Sequence, residues 1–193
     1  MSDVLQTGWT RPQVESQHFL YATDLVRKGV AFRSLAPDHR PEVQELVRTH
    51  IAGSGSYCIP DEAGGIVAYE QKTGVLLGAM ILAGAKFRRP TGKETTVVFV
   101  NHLVVTPAWR KQGLGYVLLQ MSPMVQTFDL QVGVCDPAGS EFYHRSGFTV
   151  LKPGAPLPAM VFGGHGAAAD WGTTNEFYPS WFFRHWHLEV HGQ

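Results

Sequence analysis

The stretch Leu103-Val104-Val105-Thr106-Pro107-Ala108-Trp109-Arg110-Lys111-Gln112-Gly113-Leu114-Gly115-Tyr116-Val117-Leu118-Leu119 decides the reading of this chain. Its apolar, β-branched start reads as a buried strand, Pro107 stops that strand, and the glycines stand where a helix begins. A helix start presents N–H groups with no intrahelical partner and the positive end of the helix dipole, so the junction suits a phosphate. Gly113 and Gly115 let a bulky anion approach the backbone, and Arg110 and Lys111 bring positive charge. Two familiar phosphate motifs do not fit. No Gly-x-x-x-x-Gly-Lys-Ser/Thr pattern occurs, and a dinucleotide fingerprint needs glycine three residues after Gly115, where Leu118 stands.

Upstream, residues 94–105 form a β-branched strand, preceded by strands at 66–71 and 75–87 joined by the turn Lys72-Thr73-Gly74. Before them Val43, Leu46, Val47 and Ile51 follow the helical period, with Asp38 as the expected cap. A short strand at 30–35 comes earlier. A first helix at 10–29 carries Phe19, Ala22 and Leu25/Val26 on one face and ends at Gly29. Downstream, a helix at 115–122 meets Pro123, a strand follows at 129–135, and Asp136 with Pro137 opens a helix that ends at Gly147. Residues 148–151 make a last strand. The order β, α, β-β-β, α, β, α, β predicts a mixed α/β (α+β) domain.

The spacing Arg110-x-x-Gly113-x-Gly115 resembles the pyrophosphate loop of the GCN5-related N-acetyltransferase (GNAT) superfamily. The later Phe142-Tyr143-His144-Arg145-Ser146-Gly147-Phe148 is similar to that superfamily's Phe-Tyr-x-x-x-Gly-Phe helix. The resemblance spans roughly residues 30–151 and implies the GNAT acyl-CoA fold. It further implies that backbone groups of Leu103, Val104 and Val105 pair with the pantetheine arm of acetyl-CoA. The amides of Arg110, Lys111, Gln112, Gly113, Leu114 and Gly115 would hold the pyrophosphate, and Tyr143 would lie beside the thioester sulfur. A phenol is protonated at neutral pH and can donate to a departing thiolate, although Tyr143 also suits plain packing on an amphipathic helix. Several relatives carry a glutamate base where this chain has Phe99. Asn101, His102 and Glu94 share that strand, and His102 has a suitable ordinary pKa, set against the reading of a core histidine. Strand parity puts His102 and Phe99 on opposite faces unless a bulge intervenes.

Composition bounds the partners. The 193 residues carry 16 Lys+Arg and 16 Asp+Glu, a formal charge of zero, which argues against a nucleic-acid partner bound by net charge. The cluster Lys86, Arg88, Arg89 and Lys93 around Pro90-Thr91-Gly92 reads as a solvated hairpin tip, and it keeps a tRNA-directed alternative open. The longest nearly apolar run, 75–85, is far short of the roughly 20 residues of a membrane helix. Met1-Ser2-Asp3-Val4-Leu5-Gln6 lacks a signal's apolar core, and Cys58 and Cys135 cannot form a disulfide scaffold, so a cytoplasmic protein with reduced thiols is expected. His185, His187 and His191 lack the companions of a metal site, and none is expected.

The expected organisation is an N-terminal helical extension (1–29), a GNAT domain (30–152) and a C-terminal extension (153–193). Trp171, Phe177, Tyr178, Trp181, Phe182, Phe183 and Trp186 make that extension too apolar to float, so it should pack on the domain or a partner, lining the acceptor cleft or a homodimer contact. Deleting everything after Pro158 should then spare cofactor binding. The function the resemblance implies is acetyl transfer from acetyl-CoA to a primary amine by direct attack in a ternary complex. The alternatives are a non-enzymatic CoA-binding interaction module and an aminoacyl-tRNA-acetylating toxin.

Overall fold

A computed structural model describes residues 3–5, 11–51, 54–88, 94–135, 139–152 and 159–163. Its elements run β1 (Asp3–Leu5), α1 (Arg11–Arg27), β2 (Val30–Ser34), α2 (Arg40–His50), β3 (Gly64–Glu70), β4 (Leu76–Arg88), β5 (Glu94–Val105), α3 (Leu114–Gln120), α4 (Ser122–Val125), β6 (Leu130–Cys135), α5 (Ser140–Arg145), β7 (Thr149–Lys152) and β8 (Ala159–Gly163). One eight-stranded sheet takes the order β1-β7-β8-β6-β5-β4-β3-β2. Among the described strands the only parallel pair is β5 with β6; the other neighbours are antiparallel. The expected mixed sheet and helix order are present.

Both faces of the sheet are covered. On one, Leu25 of α1, Leu114, Val117, Leu118 and Leu119 of α3 and Tyr143 of α5 pack over Met80, Leu82, Val98 and Val100. On the other, Val43, Leu46 and Val47 of α2 pack over Val67, Ala79, Ile81 and Val104. The 3.6 residue period and the strand alternation seen in the sequence thus map onto two apolar layers.

Several expectations are corrected. The sheet does not stop at residue 151: β8 inserts between β6 and β7, and β1 adds to β7, so residues on both sides of the 30–152 segment belong to the sheet. Phe19 and Val26 do not share the buried face of α1. They are 70% and 59% exposed, while Leu25 is fully buried and Tyr21 and Ala22 pack beside it. Asp38 does not cap α2; it lies in a 3₁₀ turn (Pro37–His39), and the His39 ring accepts the Ala36 N–H at 3.2 Å instead. Arg89, Lys93, Asp136, Pro137 and the aromatic and histidine residues beyond 163 lie outside the described residues.

Candidate functional site

The decisive feature of the sheet is where β5 parts from β6. Their parallel pairing covers Val97–Val100 against Leu130–Gly133 and then ends. The start of β6 is fixed beside β5 by a reciprocal pair: Thr96 N–H donates to Asp129 Oδ2 at 2.8 Å, and Asp129 N–H to Thr96 O at 2.9 Å. At the point of separation the β4–β5 register slips. Leu82 faces Val100 while Ile81 faces His102, leaving Asn101 as the extra residue of a bulge. Past the bulge Leu103, Val104 and Val105 pair only with β4 among the described strands, opposite Met80, Ala79 and Gly78. Their other edge is a row of backbone groups able to take up an extended, amide-bearing ligand.

That edge leads directly into the glycine loop. A 3₁₀ turn at Pro107–Trp109 engages the Arg110 N–H on Pro107 O at 3.3 Å. Its side chain turns back too, with Nε donating to Val105 O at 3.1 Å. Arg110 therefore ties the loop to the strand end. Lys111 (φ 61°) and Gly113 (φ 84°) both adopt left-handed backbone, which coils the chain tightly before α3. Gln112 Nε2 donates to Ala108 O at 2.9 Å. At Gly113 a Cβ would stand 2.5 Å from Cδ1 of Tyr21, because α1 lays that ring against the loop. At Gly115 a Cβ would make only ordinary contacts, 3.6 Å from Val105 Cγ2 and 3.7 Å from the Phe142 ring. Leu114 and Gly115 open the first turn of α3, where no carbonyl one turn earlier is available to their N–H groups.

Tyr143 lies on the α3 side of the sheet. It is 8% exposed and meets Phe142 (5.1 Å, 77°) and Phe148 (5.5 Å, 73°) edge-on. Its helix is anchored to α3 by Gln120 Nε2, which donates to Ser146 O at 2.8 Å, while Ser146 Oγ donates back to Phe142 O at 2.8 Å and closes the helix end. His102 lies on the α2 side. Because Asn101 adds one residue, alternation resets: Val98, Val100, Leu103 and Val105 share one face, and Phe99, His102 and Val104 the other. The bulge thus puts His102 on the face of Phe99. Burial pushes the His102 imidazole below its ordinary 6.5, so it is a proton acceptor at neutral pH. The Tyr57 ring stands edge-on to it, centroids 4.1 Å apart at 76°. Tyr57 was not singled out by the sequence, because it sits in an irregular segment with no motif around it.

No protein-family profile and no curated protein sequence matches the chain. Solved structures do. A structure of a bacterial toxin is 15% identical over 76% of this chain and 96% of its own, with a TM-score of 0.51. FeeM, an N-acyl amino acid synthase from uncultured soil microbes, is 15% identical over 69% and 89%, TM-score 0.51. A Trypanosoma brucei acetyltransferase is 18% identical over 66% and 98%, TM-score 0.50. The chain shares the mixed α/β fold of these structures, the fold that the resemblance to the GNAT superfamily implied. No helix among the described residues is long and apolar enough to cross a membrane.

Proposed function

We propose that this protein binds acetyl-CoA and transfers its acetyl group to a primary amine held in the same complex. The observation that carries this reading is the β5 edge at Leu103–Val105, which no described strand covers on the side away from β4, leading into the left-handed loop at Lys111–Gly113. The fit is physical. An extended pantetheine arm can add to the edge as a strand would, and the amides of Gly113, Leu114 and Gly115, with Lys111 and Gln112 beside them, suit a pyrophosphate. Bound there, the cofactor supplies a thioester carbonyl open to attack by an amine.

This chain's residues then have distinct tasks. His102 accepts the proton that the amine must lose. Tyr143 donates a proton to the sulfur as the C–S bond breaks. A β5 N–H receives the charge that develops on the carbonyl oxygen. The two side chains sit on opposite faces of the sheet, which lets the acceptor and the thiol occupy different sides of the β5 strand end.

A more specific acceptor, the amine of an aminoacyl-tRNA, is the alternative that the sequence left open, and a bacterial toxin is among the structures that share this fold. Such an amine is itself primary, so the chemistry at His102 and Tyr143 is the same. We read the protein as cytoplasmic, with residues 171–186 serving the acceptor cleft or a homodimer contact. The test is direct. Acetyl-CoA at about 100 times its Kd should stabilise the fold by about 2.7 kcal/mol, seen as a raised Tm, and thiol release against an amine panel should identify acceptors. Absence of any stabilisation by acetyl-CoA would refute the reading.

A further inference from the structure

Tyr57 lies between α2 and β3, and one face of α2 clamps that segment by its backbone. Arg40 Nη1 donates to Pro60 O at 2.6 Å, and its Nη2 to Asp61 O and Ala63 O at 2.8 and 3.0 Å. Gln44 Oε1 accepts the Ile59 N–H at 2.9 Å, and Arg48 Nε donates to Tyr57 O at 3.0 Å. Residues 40, 44 and 48 are successive turns of the same helix face. The clamp delivers the Tyr57 ring onto His102.

The hydroxyl at the end of that ring is buried and has no hydrogen-bond partner among the described residues. Tyr69, on the same side of the sheet, has one: its hydroxyl lies 3.2 Å from Glu42 Oε2. A buried hydroxyl left unpaired costs roughly 1–3 kcal/mol, and native folds keep such a group where it has a task. Burial also pushes the Tyr57 phenol up to about 12, so it is a donor at every pH of interest.

We propose that Tyr57 is a specificity-determining residue of the acceptor site and that the acceptor presents its amine next to a carbonyl, as an α-aminoacyl group does. This rests on the acetyl-transfer reading above. The His102 and Tyr57 rings are in contact, so a ligand engaging both must offer an amine and an accepting oxygen only a few ångströms apart. The N–C–C=O unit does so; a simple alkylamine offers no oxygen and leaves the phenol unpaired. The amine nitrogen bonds to the thioester carbonyl carbon and the C–S bond breaks. The amine proton passes to His102, the thiolate takes a proton from Tyr143, and the products are an amide and free thiol, both side chains regaining their starting protonation from water.

The test compares phenylalaninamide with 2-phenylethylamine at equal concentrations of free base, followed by thiol release from acetyl-CoA. Phenylalanine methyl ester, run beside the amide, tells whether an ester-linked or a peptide-like aminoacyl group is the better source. The intact protein should favour phenylalaninamide in kcat/KM by tenfold or more. Tyr57→Phe keeps the ring against His102 and should lower that preference at least tenfold, with the acetyl-CoA-induced rise in Tm unchanged. Equal use of both amines, or an unchanged preference in Tyr57→Phe, overturns the proposal. So does release from neither amine while acetyl-CoA still raises Tm, an outcome that leaves cofactor binding standing. If acetyl-CoA gives no rise in Tm, the underlying reading fails and this one with it.

Discussion

Substitution at Gly113 separates a conformational demand from a steric one. At φ 84° an L side chain is strained by roughly 1–2 kcal/mol relative to glycine. The new Cβ would also lie 2.5 and 2.6 Å from Cδ1 and Cγ of Tyr21, atoms of a ring that must move as a unit. Overpacking of that kind adds about 1–3 kcal/mol. Gly113→Ala should therefore lose about 2–5 kcal/mol, and at about 2–4 °C per kcal/mol for a chain of this size the Tm should fall clearly. Gly115→Ala is the control, because its Cβ meets nothing closer than 3.6 Å and its backbone is not left-handed; it should stay within about 1 kcal/mol of the parent. Truncating the ring tests the steric share. In the Tyr21→Ala background Gly113→Ala should be less destabilising by about 1–3 kcal/mol, leaving the backbone strain. Urea unfolding measures all five proteins (the parent, the three single variants and the double variant), and acetyl-CoA-induced shifts in Tm report the loop, which Gly113→Ala should blunt more than Gly115→Ala. Equal losses for Gly113→Ala with and without the Tyr21 ring would refute the steric assignment. A Gly113→Ala protein as stable as the parent would refute both.

Tyr143→Phe keeps the edge contacts to Phe142 and Phe148, so stability and acetyl-CoA binding should hold while kcat falls by roughly 10²–10⁴; a drop of only a few-fold assigns Tyr143 to packing. His102 and His18 are both held below 6.5 by burial, so the unfolded chain binds protons more readily than the folded one, and the stability they contribute is intact above pH 6.5 and lost as pH falls below it. The urea midpoint should drop between pH 7 and pH 5, and His102→Gln should lessen that drop; an identical pH slope in the variant would disprove the linkage. The kcat profile of the intact protein should show its acidic limb below pH 6.5, measured against a substrate amine that is neutral across the range. Ending the chain at Pro158 removes β8 from between β6 and β7 and should abolish cooperative unfolding, whereas ending it after Gly163 keeps the whole sheet. Circular dichroism during a urea titration distinguishes the two truncations, and equal behaviour would contradict the strand order.

The sequence by itself determined what depends on near neighbours. Apolar period, proline stops and glycine placement located α2, α3, α5 and β2 to β7 to within a few residues, because each encodes its own hydrogen-bonding pattern and buried face. The loop Arg110-x-x-Gly113-x-Gly115 was legible for the same reason: a left-handed residue before a helix demands glycine locally. What only the tertiary structure decided depends on partners distant in the chain. Parity alone separated His102 from Phe99, and the Asn101 bulge that joins them exists only through β4's register. β8 was hidden within a proline-rich shift in composition, since a strand of five residues is specified less by its own pattern than by the gap between β6 and β7. Phe19 and Val26 match a helical face as well as Leu25 does, and only the packing of α1 onto α3 and the sheet chose between them. Tyr57 carried no signal, because its place against His102 is set by hydrogen bonds from α2 to backbone carbonyls and an N–H, groups that every residue possesses and no sequence pattern displays.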